Sequence, residues 1–164
     1  MKTLLDSISA VESYAHISPD DVLLKATEEL GEYEEALRIW NSEEQKKELA
    51  DLLFNVVSVM HHLGLPVPER VAPYPLAPYS LSELFGQFVQ AAQNIRGRYT
   101  RKLGDSQLLE QASLSLLSKI AFLSGISAIS STVETSLQKL DSRKDLYKPS
   151  IDIREYIGEV LDFP

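Results

Sequence analysis

The chain has 164 residues, 44% of them hydrophobic, which suits one domain built around one packed core. It contains no cysteine, so disulfides, cysteine-type zinc sites and thiol nucleophiles are excluded. The formal net charge of −8 argues against a nucleic-acid groove, because duplex binding depends mainly on Lys and Arg neutralising phosphates. The N-terminus lacks a signal-peptide pattern and no apolar run has membrane-spanning length, so we expect a cytoplasmic protein without a membrane partner.

Two long helices are predicted in the first part of the chain. Ser18 and Pro19 suit the cap and first position of one helix, and residues 42–45 predict a capping box that opens the next. Each helix has an apolar stripe at steps of three and four residues. The first stripe is Val22, Ala26, Leu30, Tyr33, Leu37 and Trp40; the second is Leu49, Leu52, Leu53, Val56, Met60 and Leu63. Because the break between them is short, we expect an antiparallel hairpin over residues 19–64.

The rest of the chain continues the helical pattern. Residues 64–80 contain five prolines and predict a connection inside a single domain, 1–164, because the flanking halves are too small for two cores. Further helices are expected at about 81–96, 105–123 and 127–140, with a short one at about 151–161. The predicted fold class is therefore all-α: a bundle of two long antiparallel, acidic-faced helices plus about three further helices. Whether the second half, 81–164, is a degenerate repeat of the hairpin stays open.

The acidic residues of the hairpin follow helical spacing. Residues three or four apart share a helix face, so Glu29 lies beside Glu32, and Glu48 beside Asp51. In an antiparallel hairpin the two pairs can converge. A single pair of like charges 4 Å apart costs about 4 kcal/mol at an effective dielectric constant of 20, and a divalent cation would remove this cost. Ligand sets made only of oxygen favour Mg²⁺ or Mn²⁺ over Zn²⁺, and Mg²⁺ commonly shares its ligand shell with substrate phosphates.

The acidic pairs belong to two motifs that resemble a known superfamily. The first motif is Lys25-Ala-Thr-Glu28-Glu29-Leu-Gly31-Glu32, and the second is Glu48-Leu-Ala-Asp51-Leu-Leu-Phe-Asn55. Together they resemble the signature of the MazG-like all-α NTP pyrophosphohydrolases, EExxE followed by ExxD on the next helix. That superfamily includes dimeric dUTPases, dCTP pyrophosphatases and phosphoribosyl-ATP pyrophosphatase. The resemblance covers about residues 20–64.

The resemblance implies a Mg²⁺-dependent enzyme, with Mn²⁺ as an alternative ion, that cleaves a (d)NTP to a (d)NMP and pyrophosphate. It implies the metal ligands Glu29, Glu32, Glu48 and Asp51. Glu28 would orient or deprotonate the attacking water. Contacts to the nucleoside triphosphate are implied for five further residues: Lys25, Asn55, Trp40, Asn94 and Arg98. Since relatives are homo-oligomers, a homodimer or homotetramer is expected.

Other interpretations of these residues remain open. The acidic positions could form a solvated helix face, and Trp40 could pack in the core. The chain could also be a catalytically silent MazG-fold module that binds nucleotides or proteins, or a different carboxylate-metal helical bundle. Against the last, no Glu-x-x-His pair of the di-iron type occurs, and His61 and His62 are interpreted as helix-end residues near the negative end of the helix dipole. Residues after about 105 carry no assignable chemistry.

Overall fold

The computed structural model describes residues 1–96 and 104–147, and these residues confirm the all-α class. They form six helices: α1 (Lys2–Tyr14), α2 (Pro19–Arg38), α3 (Ser42–His62), α4 (Leu81–Arg96), α5 (Asp105–Ser124) and α6 (Ile129–Tyr147). Within these residues the β pairing amounts to one isolated antiparallel bridge, between Arg70 and Ala128. The predicted helix at 151–161 lies outside the described residues.

Two helices differ from the sequence prediction. The first, α1, was not predicted; it precedes the hairpin and buries Leu5, Ile8 and Glu12. The predicted helix 127–140 begins slightly later, at Ile129, and continues to Tyr147. The hairpin is therefore joined by four further helices in the described part of the chain, where about three were expected.

The caps of the hairpin helices show how local sequence sets their boundaries. The Asp21 amide donates a hydrogen bond to Ser18 Oγ at 3.2 Å, and the Ser18 amide donates to the Asp21 carboxylate at 2.8 Å, which completes a capping box. The capping box predicted at residues 42–45 is wrong. Asn41 caps α3 instead, since its side-chain oxygen accepts from the Glu44 amide at 3.1 Å.

Trp40 lies in the turn between α2 and α3. The backbone there is left-handed, with φ of 58°, and this turn carries the indole away from the core. Trp40 is 90% exposed and Leu37 is 44% exposed, so the core-packing interpretation of Trp40 is wrong. The apolar stripe of α2 is buried from Val22 to Tyr33 and ends one turn before the helix does.

Helix α3 is the centre of the bundle. Helices α1, α2, α5 and α6 all pack against it, and every residue from Leu52 to Met60 is buried. The sequence prediction assigned α3 a single apolar stripe, whereas the structure also buries its other faces. The corresponding sequence signal is the lack of any charged residue between Asp51 and His61.

The proline-rich connection is attached to the second half of the bundle. The Val71 amide donates to the Ser127 carbonyl at 3.1 Å, and the Ile129 amide donates to the Glu69 carbonyl at 2.9 Å. Both bonds join the connection to the start of α6. They help to fix α6 against α3, and α6 supplies one wall of the site described below.

Within the described part of the chain, none of the helices combines the length and the apolar composition that crossing a bilayer would require.

The contrast between two leucines of α5 tests the packing of this core. Leu116 is fully buried, whereas Leu108 is 59% exposed. We expect Leu116→Ala to lower the free energy of unfolding by about 2–5 kcal/mol through lost burial and a residual cavity. Leu108→Ala should change it by about 0.5 kcal/mol or less. Denaturant titrations followed by circular dichroism measure both, and equal effects would contradict the described packing of α5.

Candidate metal centre and adjoining cavity

Three carboxylates from α2 and α3 converge at the edge of the interface between these helices. One ligand oxygen from each of Glu29, Glu48 and Asp51 lies within 4.8 Å of the other two. Glu29 and Glu48 are buried, with 5% and 2% of their surface exposed, and Asp51 is half-buried. This acidic triad could hold a metal ion.

Glu48 is the most strongly perturbed member of the acidic triad. Its pKa is raised to about 9, first by burial and then by the neighbouring carboxylates of Glu29, Glu44 and Glu32. Two carboxylates share a hydrogen bond only when one is protonated, and the lowered pKa of Glu44 beside Glu48 places that proton on Glu48. Among the described residues, Oε2 of Glu48 is buried with no hydrogen-bond partner. Without a cation, Glu48 is therefore neutral at physiological pH.

Each carboxylate of the acidic triad also has a lysine beside it. Lys25 Nζ lies 3.1 Å from Glu29, and Lys47 Nζ lies 3.5 Å from Glu48. From α6, Lys139 Nζ lies 3.5 Å from Asp51 Oδ1. The three ammonium groups offset part of the repulsion within the triad.

The electrostatic effect of this pairing is seen in the lysine pKa values. Partial burial disfavours the charged form of Lys25, but hydrogen bonds to Glu28 and Glu29 outweigh burial and raise its pKa. The pKa of Lys47 is raised by its hydrogen bond to Glu44 and by the charge that Glu48 carries above its own pKa, in the pH range where Lys47 titrates. Both lysines therefore stay charged at physiological pH.

The donor atoms of the acidic triad fit a hard divalent cation. All three are carboxylate oxygens, the ligand type that Mg²⁺, Mn²⁺ and Ca²⁺ prefer. Two oxygens bound to one Mg²⁺ at about 2.1 Å can be at most about 4.2 Å apart, so a small side-chain rotation closes the observed spacing. A cation would also provide a partner for Glu48 Oε2, which has none among the described residues.

A cavity of about 250 Å³ adjoins the acidic triad. It lies between the end of α1, α2, α3 and α6, and Glu29 and Asp51 are part of its wall. Its apolar wall consists of Ile17, Val22, Phe54 and Leu140, and its other polar residues are Glu12, Asp21, Lys25, Asn55, Ser136, Lys139 and Arg143. The cavity therefore combines an acidic edge, three basic side chains and an apolar wall.

The structure places the other motif residues around this centre. Lys25 and the buried Asn55 line the cavity. Glu32 is exposed but lies close enough to Glu48 to raise its pKa, so it is near the acidic triad without being part of it. Glu28 is exposed and its carboxylate accepts a hydrogen bond from Lys25 at 3.0 Å.

Two residues predicted to contact substrate are not brought to the cavity, and a third lies outside the part of the chain that the structure describes. Trp40 projects from the turn after α2 and is absent from the cavity wall. Asn94 lines a separate depression between α4 and α5 and accepts a hydrogen bond from Gln90 at 3.0 Å. Arg98 lies outside the described residues.

Among the wall residues that sequence reasoning missed, four polar ones come from helices to which it assigned no chemistry. Glu12 comes from the unpredicted helix α1, and Ser136, Lys139 and Arg143 come from α6, where no chemistry was assigned. The three α6 residues are spaced by three and four positions and thus share one helix face. This spacing was visible in the sequence, but only the packing of α6 shows that this face meets the acidic triad.

Comparison with known proteins gives no significant match to any protein-family model, curated protein or solved structure. The function of the site is therefore inferred from its own residues and geometry.

The raised pKa of Glu48 predicts a pH-dependent stability. Between the ordinary value of 4.5 and about 9, the folded chain holds a proton that the unfolded chain has released. Without metal, the free energy of unfolding should therefore fall with rising pH in this window, by up to about 1.4 kcal/mol per pH unit. Glu48→Gln removes this titration, so the variant should become increasingly more stable than the wild type as the pH rises.

Urea titrations in EDTA across this pH window measure the effect. Glu43→Gln is the matched control, because Glu43 is exposed in the first turn of the same helix. A constant difference between Glu48→Gln and the wild type at all pH values would show that Glu48 is not protonated in the folded chain.

Binding of a cation predicts a metal-dependent stability. A ligand at one hundred times its Kd stabilises the folded state by about 2.7 kcal/mol, so Mg²⁺ or Mn²⁺ should raise the Tm of the wild type. Asp51→Asn replaces a carboxylate of the acidic triad with an amide and should remove most of the shift. Asp6→Asn, an exposed position on α1, should retain it. Thermal unfolding with and without the cation makes the comparison, and a wild type that shows no shift has no such site.

Proposed function

We propose that the chain is a Mg²⁺-dependent nucleoside triphosphate pyrophosphohydrolase, which cleaves a (d)NTP to a (d)NMP and pyrophosphate. The observation that carries the proposal is the position of the acidic triad at the edge of a cavity whose wall also contains Lys25, Lys139 and Arg143. A cation-binding edge beside basic groups suits a polyphosphate, which needs positive charge along its length.

The lysines give the site two electrostatic states. In the described structure Lys25 and Lys139 neutralise Glu29 and Asp51. If a divalent cation neutralised these carboxylates, the ammonium groups of Lys25 and Lys139 would become free to bind phosphate oxygens. Arg143, one turn beyond Lys139 on α6, adds a donor that can bind a phosphate through two parallel hydrogen bonds.

The chemistry requires a water directed at phosphorus. When bound, Mg²⁺ would act as a Lewis acid on the phosphate oxygens. Glu29, Glu48 and Asp51 would hold the ion, and Glu32, near Glu48, is available as a further ligand. Glu28 is the candidate that orients the water or takes its proton; its present bond to Lys25 would have to open for this role.

The cavity also offers a surface that suits the nucleoside part of the substrate. Ile17, Val22, Phe54 and Leu140 offer an apolar wall to a base, next to the polar side chain of Asn55. The cavity of about 250 Å³ is smaller than the roughly 300–1,000 Å³ of most ligand pockets, so part of a nucleotide would extend beyond it. Trp40 is not part of this surface, and we assign base packing to Phe54 instead.

Membership of the MazG-like superfamily and assembly into a homodimer or homotetramer remain predictions from the motifs. The α6 residues bear on the second prediction. They supply basic groups to the acidic triad from within the same chain, so the described site does not need a partner subunit to provide them.

The proposal predicts metal-dependent release of pyrophosphate. The wild type should release pyrophosphate and a nucleoside monophosphate from at least one of a panel of ribo- and deoxyribonucleoside triphosphates with Mg²⁺. The double variant Glu48→Gln, Asp51→Asn should lose at least about 10²-fold in kcat/KM, because single groups that stabilise transition-state charge contribute this much. The matched control is the double variant Glu43→Gln, Asp6→Asn, at exposed positions.

A second variant tests the basic wall. Lys139→Met keeps an unbranched side chain of nearly the same length but removes its charge, and it should raise KM for the triphosphate more than it lowers kcat. A folded wild type that binds Mg²⁺ but releases no pyrophosphate from any nucleotide would contradict the proposed activity. That result would favour a silent nucleotide- or protein-binding module.

A further inference from the structure

The wall of the cavity contains a buried glutamate, Glu12, that the proposed chemistry does not use. Glu12, near the end of α1, is 2% exposed and lines the cavity wall. A buried carboxylate is costly unless its oxygens are hydrogen-bonded, and Glu12 meets this condition from α3. Ser58 Oγ donates to its Oε1 at 2.5 Å, and His62 Nε2 contacts its Oε2.

These contacts fix the orientation of Glu12. Ser58 and His62 lie one turn apart on α3, and each holds one of the two carboxylate oxygens. Each oxygen can accept more than one hydrogen bond, so the carboxylate retains acceptor capacity toward the cavity. Glu12 is therefore a positioned hydrogen-bond acceptor in the wall of the cavity.

The spacing along α3 between the acidic triad and Ser58, the residue that donates to Glu12, suits a nucleotide. Asp51 and Ser58 are seven residues apart on α3, which corresponds to about 10 Å along the helix axis. This is close to the span from the α-phosphorus of a nucleotide to the outer edge of its base. Phe54 and Asn55 lie between these two positions on α3 and also line the cavity, where a sugar and the face of a base would pass.

On the basis of the proposed function, we propose that Glu12 determines base specificity by accepting a hydrogen bond from an exocyclic amino group. The site would then select cytosine, adenine or guanine nucleotides and reject those of uracil and thymine. In uracil and thymine the one N–H of the pairing edge lies between two carbonyl oxygens, which a carboxylate repels. A site built around a buried acceptor discriminates strongly, because the wrong base leaves that acceptor unpaired.

The sharpest test compares CTP with UTP, which differ at the base edge by an amino group in place of a carbonyl. The wild type should show a kcat/KM for CTP at least about tenfold above that for UTP. Glu12→Gln keeps the shape and can still accept from Ser58, but its amide can donate to the uracil carbonyl. The variant should therefore lose or reverse the preference in kcat/KM.

Two further variants keep the test decisive. Glu134→Gln, an exposed position on α6, is the matched control and should retain the wild-type preference. Glu12→Asp keeps the negative charge but withdraws the carboxylate from the cavity, so it should weaken kcat/KM for CTP without favouring UTP. Circular dichroism and thermal unfolding confirm that each variant is folded.

The outcomes separate this proposal from the proposed activity. Hydrolysis by the wild type that favours UTP, or a CTP preference unchanged in Glu12→Gln, would overturn the role of Glu12 and leave the pyrophosphohydrolase intact. Calorimetric titration with the non-hydrolysable α,β-imido analogues of CTP and UTP in Mg²⁺ covers the remaining case. A wild type that neither hydrolyses nor binds any nucleotide would overturn both proposals, whereas a CTP-selective, non-hydrolysing wild type that loses selectivity in Glu12→Gln would support Glu12 alone.

Discussion

The main electrostatic constraint on this structure is the close approach of three carboxylates at the edge of the α2–α3 interface. Glu29, Glu48 and Asp51 lie within 4.8 Å of one another, where full ionisation would be strongly unfavourable in a partly buried place. Two features offset the repulsion in the metal-free chain: Glu48 keeps a proton, and lysines from α2, α3 and α6 lie beside the triad. The hairpin thus carries a built-in electrostatic strain that a divalent cation would relieve.

This constraint links the two halves of the chain. Lys139 reaches Asp51 only because α6 packs against α3, and the start of α6 is held by the backbone bonds of the proline-rich connection at Val71 and Ile129. The connection therefore has a positional role in the site, although it contributes no side chain to the cavity wall. In the same way α1 contributes through Glu12, which is fixed by Ser58 and His62.

The burial of Glu48 and Glu12 is typical of a functional site whose residues lower the stability of the folded chain. Glu48 is buried and protonated, and its Oε2 has no hydrogen-bond partner within residues 1–96 and 104–147. Glu12 is a second buried carboxyl group, and apolar residues at both positions would give a more stable core. Glu48 belongs to the acidic triad, of which Glu29 and Asp51 border the cavity, and Glu12 and four apolar side chains line the same cavity. This combination is consistent with a ligand that carries both charge and hydrogen-bond donors. A nucleotide has both properties.

The sequence by itself determined the all-α class and the hairpin, because helical periodicity depends on residues close together in the chain. It also indicated that Glu29, Glu48 and Asp51 would converge, although it added Glu32, which the structure places outside the acidic triad. It also indicated Lys25 and Asn55, which share the helix faces of the acids. Only the tertiary structure decided the rest. Trp40 lies outside the core because a left-handed turn follows α2. Glu12, Lys139 and Arg143 line the cavity because α1 and α6 pack against α3. Such docking depends on packing between distant segments, and helical periodicity identifies a face without identifying its partner.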